Sequence, residues 1–122
     1  MTGRSPVMAH FLAPAHARCD VDSDQWHADA VIETPGADAR GRLFLRVDDQ
    51  GRLTAAFAAY GPPVVIAVLD GLCARVSGQT VASAQSLMPN DIEQAFCLSA
   101  TQRYAAVMAI DVLAKALSNL GR

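Results

Sequence analysis

Charge of either sign is never concentrated in this sequence: ten Lys and Arg stand against twelve Asp and Glu in 122 residues, a net charge of -2. Without a basic field nothing gathers the phosphates of nucleic acid or of an anionic bilayer, so neither is expected as a partner. Long apolar runs are missing too. The longest, Pro62 to Leu69, falls far short of the roughly 20 residues a membrane-spanning helix needs. Over Met1–Ala15 the single basic residue Arg4 and the interruptions at His10 and Pro14 leave no signal-peptide pattern, so the expected location is cytoplasmic. Cysteine is scarce and odd in number. Cys19, Cys73 and Cys97 are too far apart for a CxxC metal knuckle and do not pair into a disulfide framework, so free thiols are expected. No Gly-rich phosphate loop and no Gly-x-Ser-x-Gly elbow is present, which removes the anchors for nucleotide and acyl-transfer enzymology. An enzyme is not expected.

What is present is apolar. A hydrophobic content of 52% against 18% charge suffices for one substantial core, and residues 1–122 are read as a single domain without internal repeat. Val7, Met8, Phe11 and Leu12 at helical spacing, stopped by Pro14, predict a short opening helix, followed by a polar loop over Ala15–Gln25. Alternation at Trp26, Ala28, Ala30 and Ile32 predicts a strand from Trp26 to Thr34, ended by Pro35-Gly36. Leu43, Leu45 and Val47 alternate with Phe44, Arg46 and Asp48. The turn chemistry of Asp49-Gln50-Gly51 then predicts a hairpin into a strand over Leu53–Tyr60.

After Gly61-Pro62-Pro63 the period changes. Val65, Ile66, Leu69, Leu72, Cys73 and Val76 follow helical spacing as far as Gly78. Thr80 can cap a short helix reaching Leu87, and Pro89 or Asn90 can open another containing Ile92 and Phe96. Val107 to Leu120 predicts the longest helix, with a broad apolar face. Strands followed by helices imply an α+β fold: a three-stranded antiparallel sheet with helices packed mainly on one face.

Several of these segments match a known pattern in order and spacing. They are Val7-Met8-Ala9-His10-Phe11 before Pro14, the hairpin Leu43 to Gly51, and Phe57-Ala58-Ala59-Tyr60-Gly61. Ile66-Ala67, Gly78-Gln79-Thr80, Asp91-Ile92 and Met108-Ala109-Ile110-Asp111 continue the series. The chain resembles the IscU and NifU N-terminal scaffold family of iron-sulfur cluster assembly over nearly its whole length, which implies an IscU/SufE-like fold. In that family three cysteines hold a cluster or a zinc ion, aided by an aspartate near the first and often a histidine before the third. On the resemblance, Ala37 stands at the first cysteine position and Ala39 at the aspartate, with Asp38 one residue away. Pro62-Pro63 replaces the Cys-Gly of the second site, and Ala105 replaces the third cysteine, with Tyr104 in place of the histidine. A methyl group or a proline ring has no lone pair for iron, so no cofactor is expected although the family implies a cluster or zinc. The segment Leu98-Ser99-Ala100-Thr101-Gln102 stands where bacterial scaffolds carry the Leu-Pro-Pro-Val-Lys sequence recognised by their chaperone. The expectation is a degenerate scaffold that meets cysteine desulfurase or other cluster-assembly proteins without holding a cluster through thiolates.

Other chemistry has thinner support. Cys97 is expected as a buried structural thiol; the alternative is a persulfide acceptor, for which Arg103 is the nearest cation able to lower its pKa. Cys73 shares the apolar stripe of Leu69, Leu72 and Val76 and is read as core. His16, Cys19, Asp20, Asp22, Asp24 and His27 form the richest set of metal-ligating side chains. Gln25 and Val31 occupy the positions where a calcium loop needs glycine and glutamate. Zinc through His16, Cys19 and His27 competes with a solvated acidic loop. Asp38, Asp70 and Tyr104 are the polar candidates for a repurposed metal or small-molecule pocket.

Overall fold

The computed structural model describes residues 26–34, 36 and 38–120. Three strands, β1 (Ala28–Thr34), β2 (Ala39–Val47) and β3 (Leu53–Tyr60), form an antiparallel sheet in the order β1-β2-β3. Four helices follow: α1 (Pro63–Val76), α2 (Val81–Gln85), α3 (Pro89–Phe96) and α4 (Arg103–Leu120), the last preceded by a 3-10 turn at Ala100–Gln102. The expected α+β architecture is therefore present. Val7–Leu12 and the Ala15–Gln25 loop lie outside the described residues, as do His10, His16, Cys19, Asp20, Asp22 and Asp24.

The two faces of the sheet separate by the two-residue period of a strand. Leu43 and Leu45 of β2 face the helices with Ala55 and Phe57 of β3 and Ala30 of β1, and all are buried in one core. Against them lie α1, mainly on β3, and α4, across β1 and β2. Helix α1 is apolar nearly all round, with Val64, Val65, Ala67, Val68, Leu69, Leu72 and Cys73 buried, because it sits between the sheet and the other helices. Cys73 is core, as its stripe implied.

Trp26 departs from the expected alternation. Strand β1 begins at Ala28, and the indole packs at a tilt of 42° against Phe44, which faces away from the helices, at 5.9 Å between centroids. The cause is His27, whose Nδ1 accepts a hydrogen bond from the Val47 backbone N–H at 3.0 Å. A side chain there replaces the next rung of the ladder. That nitrogen is consequently occupied, which counts against the imagined zinc ligand.

The end of the sheet formed by the β2–β3 turn is closed by backbone and side-chain hydrogen bonds. Asp48 Oδ1 accepts from Gln50 N and Arg52 N at 2.9 and 3.0 Å, giving the hairpin turn its shape. The segment after α1 then covers the edge of β3. Leu53 N donates to Gln79 O, Gly78 N donates to Leu53 O, and Ala55 N donates to the Ser77 hydroxyl at 3.1 Å. Covering an edge strand in this way satisfies donors that would otherwise invite another chain.

Candidate functional site

The opposite end of the sheet gathers three connections. Strand β2 begins there at Ala39, β3 ends at Tyr60, and α1 starts at Pro63. Gly61, at φ 140, lies so close to β2 that a Cβ on it would come within 3.0 Å of Ala39 Cβ and 3.1 Å of Ala39 Cα. Only glycine permits both that dihedral angle and that approach. Pro62 caps α1 in extended conformation and its carbonyl accepts from Val65 N at 2.9 Å, while Pro63 takes the first helical position, where a missing N–H costs nothing.

The fourth contributor is α4. A Cβ on Gly41 would meet Leu69 Cδ1 of α1 at 2.9 Å and Met108 Cε of α4 at 3.3 Å, so both helices press on the backbone of β2 two residues inside its start. One helical turn before Met108, roughly 5.4 Å along the axis, come Tyr104 and Ala105. The sequence period predicted this helix only from Val107. In the structure it starts at Arg103, because the first turn packs on the core and acquires a buried face at Ala105. The positions matched to the second and third cysteines, Pro62 and Ala105, thus belong to the same end of the domain as Asp38 and Ala39. Ala37, matched to the first, lies outside the described residues.

The chemistry available there is limited. Ala105 is 2% exposed, a methyl group directed into the core. Tyr104 is half-buried against the same core, and desolvation pushes its phenol pKa above the ordinary 10.0, so it stays a neutral hydroxyl. Asp38 is exposed in left-handed conformation at φ 51. One carboxylate, one phenol, a proline ring and a methyl group make a poor donor set for a cluster or a zinc ion. Among the described residues no three His, Cys, Asp or Glu side chains come together as a metal site.

Asp70 lies eight positions beyond Pro62, roughly 12 Å along α1, and is buried at 1% exposure. It is engaged by a partner rather than free.

Cys97 also corrects an expectation. The thiol is exposed, not buried. Phe96 turns into the core as the last residue of α3, and Cys97 follows in left-handed conformation at φ 53, ψ 48, which carries its Sγ outward to 3.9 Å from Gln94 O. Arg103 is paired with Glu93 at 3.6 Å. The altered segment after Cys97 closes on itself, with Ser99 N donating to Gln102 Oε1 at 3.1 Å and Gln102 N donating to Ser99 O. The two residues form a Ser-x-x-Gln capping box.

One feature had no sequence signal. A polar cleft of about 470 Å³ opens between the C-terminal turn of α1, α2 and the start of α3, with Arg75, Gln79, Ser83 and Asp91 on its walls. Its residues come from separate segments, and only the fold joins them.

Comparison with known proteins agrees with this architecture. The family model for the NifU-like N terminal domain matches residues 3–122. A NifU-like protein (N-terminal) from Brucella abortus superposes with a TM-score of 0.70 at 13% identity, covering 97% of this chain and 93% of its own. An iron-sulfur cluster assembly scaffold protein for the SUF system from Fervidobacterium islandicum AW-1 gives a TM-score of 0.68 at 11% identity, covering 94% of this chain and 96% of its own. A hypothetical protein of solved structure reaches 0.70 at 17% identity, with coverage of 93% and 94%. No curated protein sequence matches significantly. At these identities the structural likeness speaks for the fold.

Proposed function

This chain belongs to the family of NifU-like N-terminal domains, scaffolds of iron-sulfur cluster assembly, and on that premise we propose that it is a degenerate member, a non-enzymatic partner-binding or regulatory module of the cytoplasm. It keeps the shape that cluster-assembly proteins such as a cysteine desulfurase engage. It does not carry the cluster as cargo on thiolates. The observation that supports this reading is the end of the sheet at Pro62 and Ala105, where the positions matched to two ligand cysteines offer a ring and a buried methyl. Iron in such clusters needs soft, electron-rich sulfur, and neither group has a lone pair to give.

The test is anaerobic reconstitution with iron, sulfide and a cysteine desulfurase, followed by metal analysis. The expected outcome is no stoichiometric cluster on the protein, together with retention on immobilised desulfurase. A stable cluster at one per monomer overturns the proposal.

The exposure of Cys97 favours a second reading, a sulfur acceptor. Its thiolate would attack the terminal sulfur of a desulfurase persulfide, forming a new S–S bond while the desulfurase cysteine leaves as thiolate. Mass spectrometry after incubation with desulfurase and cysteine decides it: a gain of one sulfur atom on Cys97, absent from Cys97→Ser, is required.

A further inference from the structure

The polar cleft beside α2 carries charges of both signs. Arg75, in the last turn of α1, reaches it from one side, and Asp91, in the first turn of α3, from another. Arg75 is exposed and forms no ion pair with any described residue, so its five N–H donors remain available. Asp91 spends one oxygen, Oδ2, on the Met88 backbone N–H at 2.8 Å, which fixes the carboxylate and leaves Oδ1 as an acceptor. Between them, the Ser83 hydroxyl lies 3.4 Å from Gln79 Oε1. That contact orients the Gln79 amide and leaves its NH2 free to donate. Leu87, half-buried, supplies the apolar part of the lining.

This arrangement selects among ligand classes. A bare phosphate or sulfate would satisfy Arg75 and Gln79 but would face the Asp91 carboxylate, and like charges at close range repel. A cation alone would leave Arg75 unanswered. A small molecule that carries a carboxylate and an ammonium side by side, with a modest apolar group, satisfies all three features together. We propose that the cleft binds the zwitterionic backbone of a free α-amino acid, with the carboxylate on Arg75 and Gln79, the ammonium on Asp91, and a small side chain against Leu87. Its volume of about 470 Å³ is ample for such a ligand. The inference is independent of whether the other end of the domain holds a cluster.

The experiment is a titration of the full chain with L-alanine, followed by amide and side-chain NMR shifts. Propionate, which lacks the ammonium, alanine methyl ester, which lacks the carboxylate, and inorganic phosphate are titrated in parallel. The expected result is saturable shifts confined to residues around Arg75, Gln79, Ser83 and Asp91. Propionate and the ester should each bind at least about tenfold more weakly, the loss of one charged hydrogen-bonded pair. Arg75→Gln, an exposed substitution that leaves the fold intact, should weaken alanine binding by a similar factor. Asp91→Asn keeps an acceptor for the Met88 N–H and should abolish the discrimination between alanine and propionate. The proposal is overturned by shifts that fail to saturate, by propionate or phosphate binding as tightly as alanine, or by unchanged affinity in Arg75→Gln.

Discussion

The two ends of the sheet are held by different physics. At the β2–β3 end, carboxylate, hydroxyl and backbone groups interlock: Asp48 takes two N–H groups, Arg52 Nη1 donates to Gly78 O at 2.7 Å, and Ser77 serves Ala55. At the other end, contacts are steric and apolar. Gly61 rests on Ala39, prolines start α1, and Ala105 fills the core. A site assembled from separate connections needs its backbones to be close but needs no hydrogen bonds between them. Its donor atoms can therefore be exchanged for inert groups without loss of the fold. A fold of this kind and the chemistry grafted on it are separable in principle, and the function proposed above rests on that separation.

Breaking the steric end should have the larger effect. Gly61→Ala places a methyl 3.0 Å from Ala39 Cβ in a dihedral region closed to L-residues, and a loss of about 2–4 kcal/mol is expected in urea unfolding. An unchanged midpoint would mean that the two connections are not pressed together. Ser77→Ala tests the hydrogen-bonded end. It leaves the N–H of Ala55, a residue 2% exposed, without its acceptor, and should cost about 1–2 kcal/mol by the same measurement.

The contrast also explains what was legible in the sequence. Apolar period and turn chemistry were enough for the hairpin, for α1 from Pro63 to Val76, and for Thr80 as a cap, whose Oγ1 accepts from Ser83 N at 3.2 Å. These elements follow from residues near in sequence. Helix α4 was read four residues short because the helical state of Tyr104 and Ala105 depends on packing against a distant strand. The burial of Asp70 was not legible for a related reason: it depends on a tertiary partner. Cys97 turned outward through a single left-handed residue, which no period announces. The family was legible through resemblance, and the Arg75–Asp91 cleft through neither route.

Smaller effects distinguish the two ends by pH. Tyr104 belongs to the apolar end, and desolvation raises its pKa above 10.0. A phenol raised on folding contributes stability that is complete below the unfolded value and lost as pH rises through the folded one. In a Tyr60→Phe background, which leaves Tyr104 as the sole tyrosine of the chain's two, phenolate absorbance should titrate above the ordinary value in the native protein and return to it in urea. Identical native and unfolded midpoints would show that Tyr104 is solvated.

Asp48 gives the opposite sign at the hydrogen-bonded end. Its carboxylate accepts from the backbone N–H of Arg52 and then of Gln50, and these bonds hold its pKa below the ordinary 3.8, with a lesser contribution from the charge of Arg52. A depressed folded pKa contributes stability above the unfolded value that is lost as pH falls from about 3.8 through the folded one. Asp48→Asn retains an oxygen that can accept both bonds but has no charge to lose. The wild-type Tm should therefore exceed that of the variant at neutral pH, and the two should converge only below pH 3.8. The group is fully exposed, so salt, which screens the charge of Arg52, should shrink the difference slightly and move the folded pKa toward the ordinary 3.8. Parallel Tm curves throughout that range would mean that the turn is held by its backbone shape alone, and the hydrogen-bonded end would then differ from the apolar one in geometry but not in electrostatics.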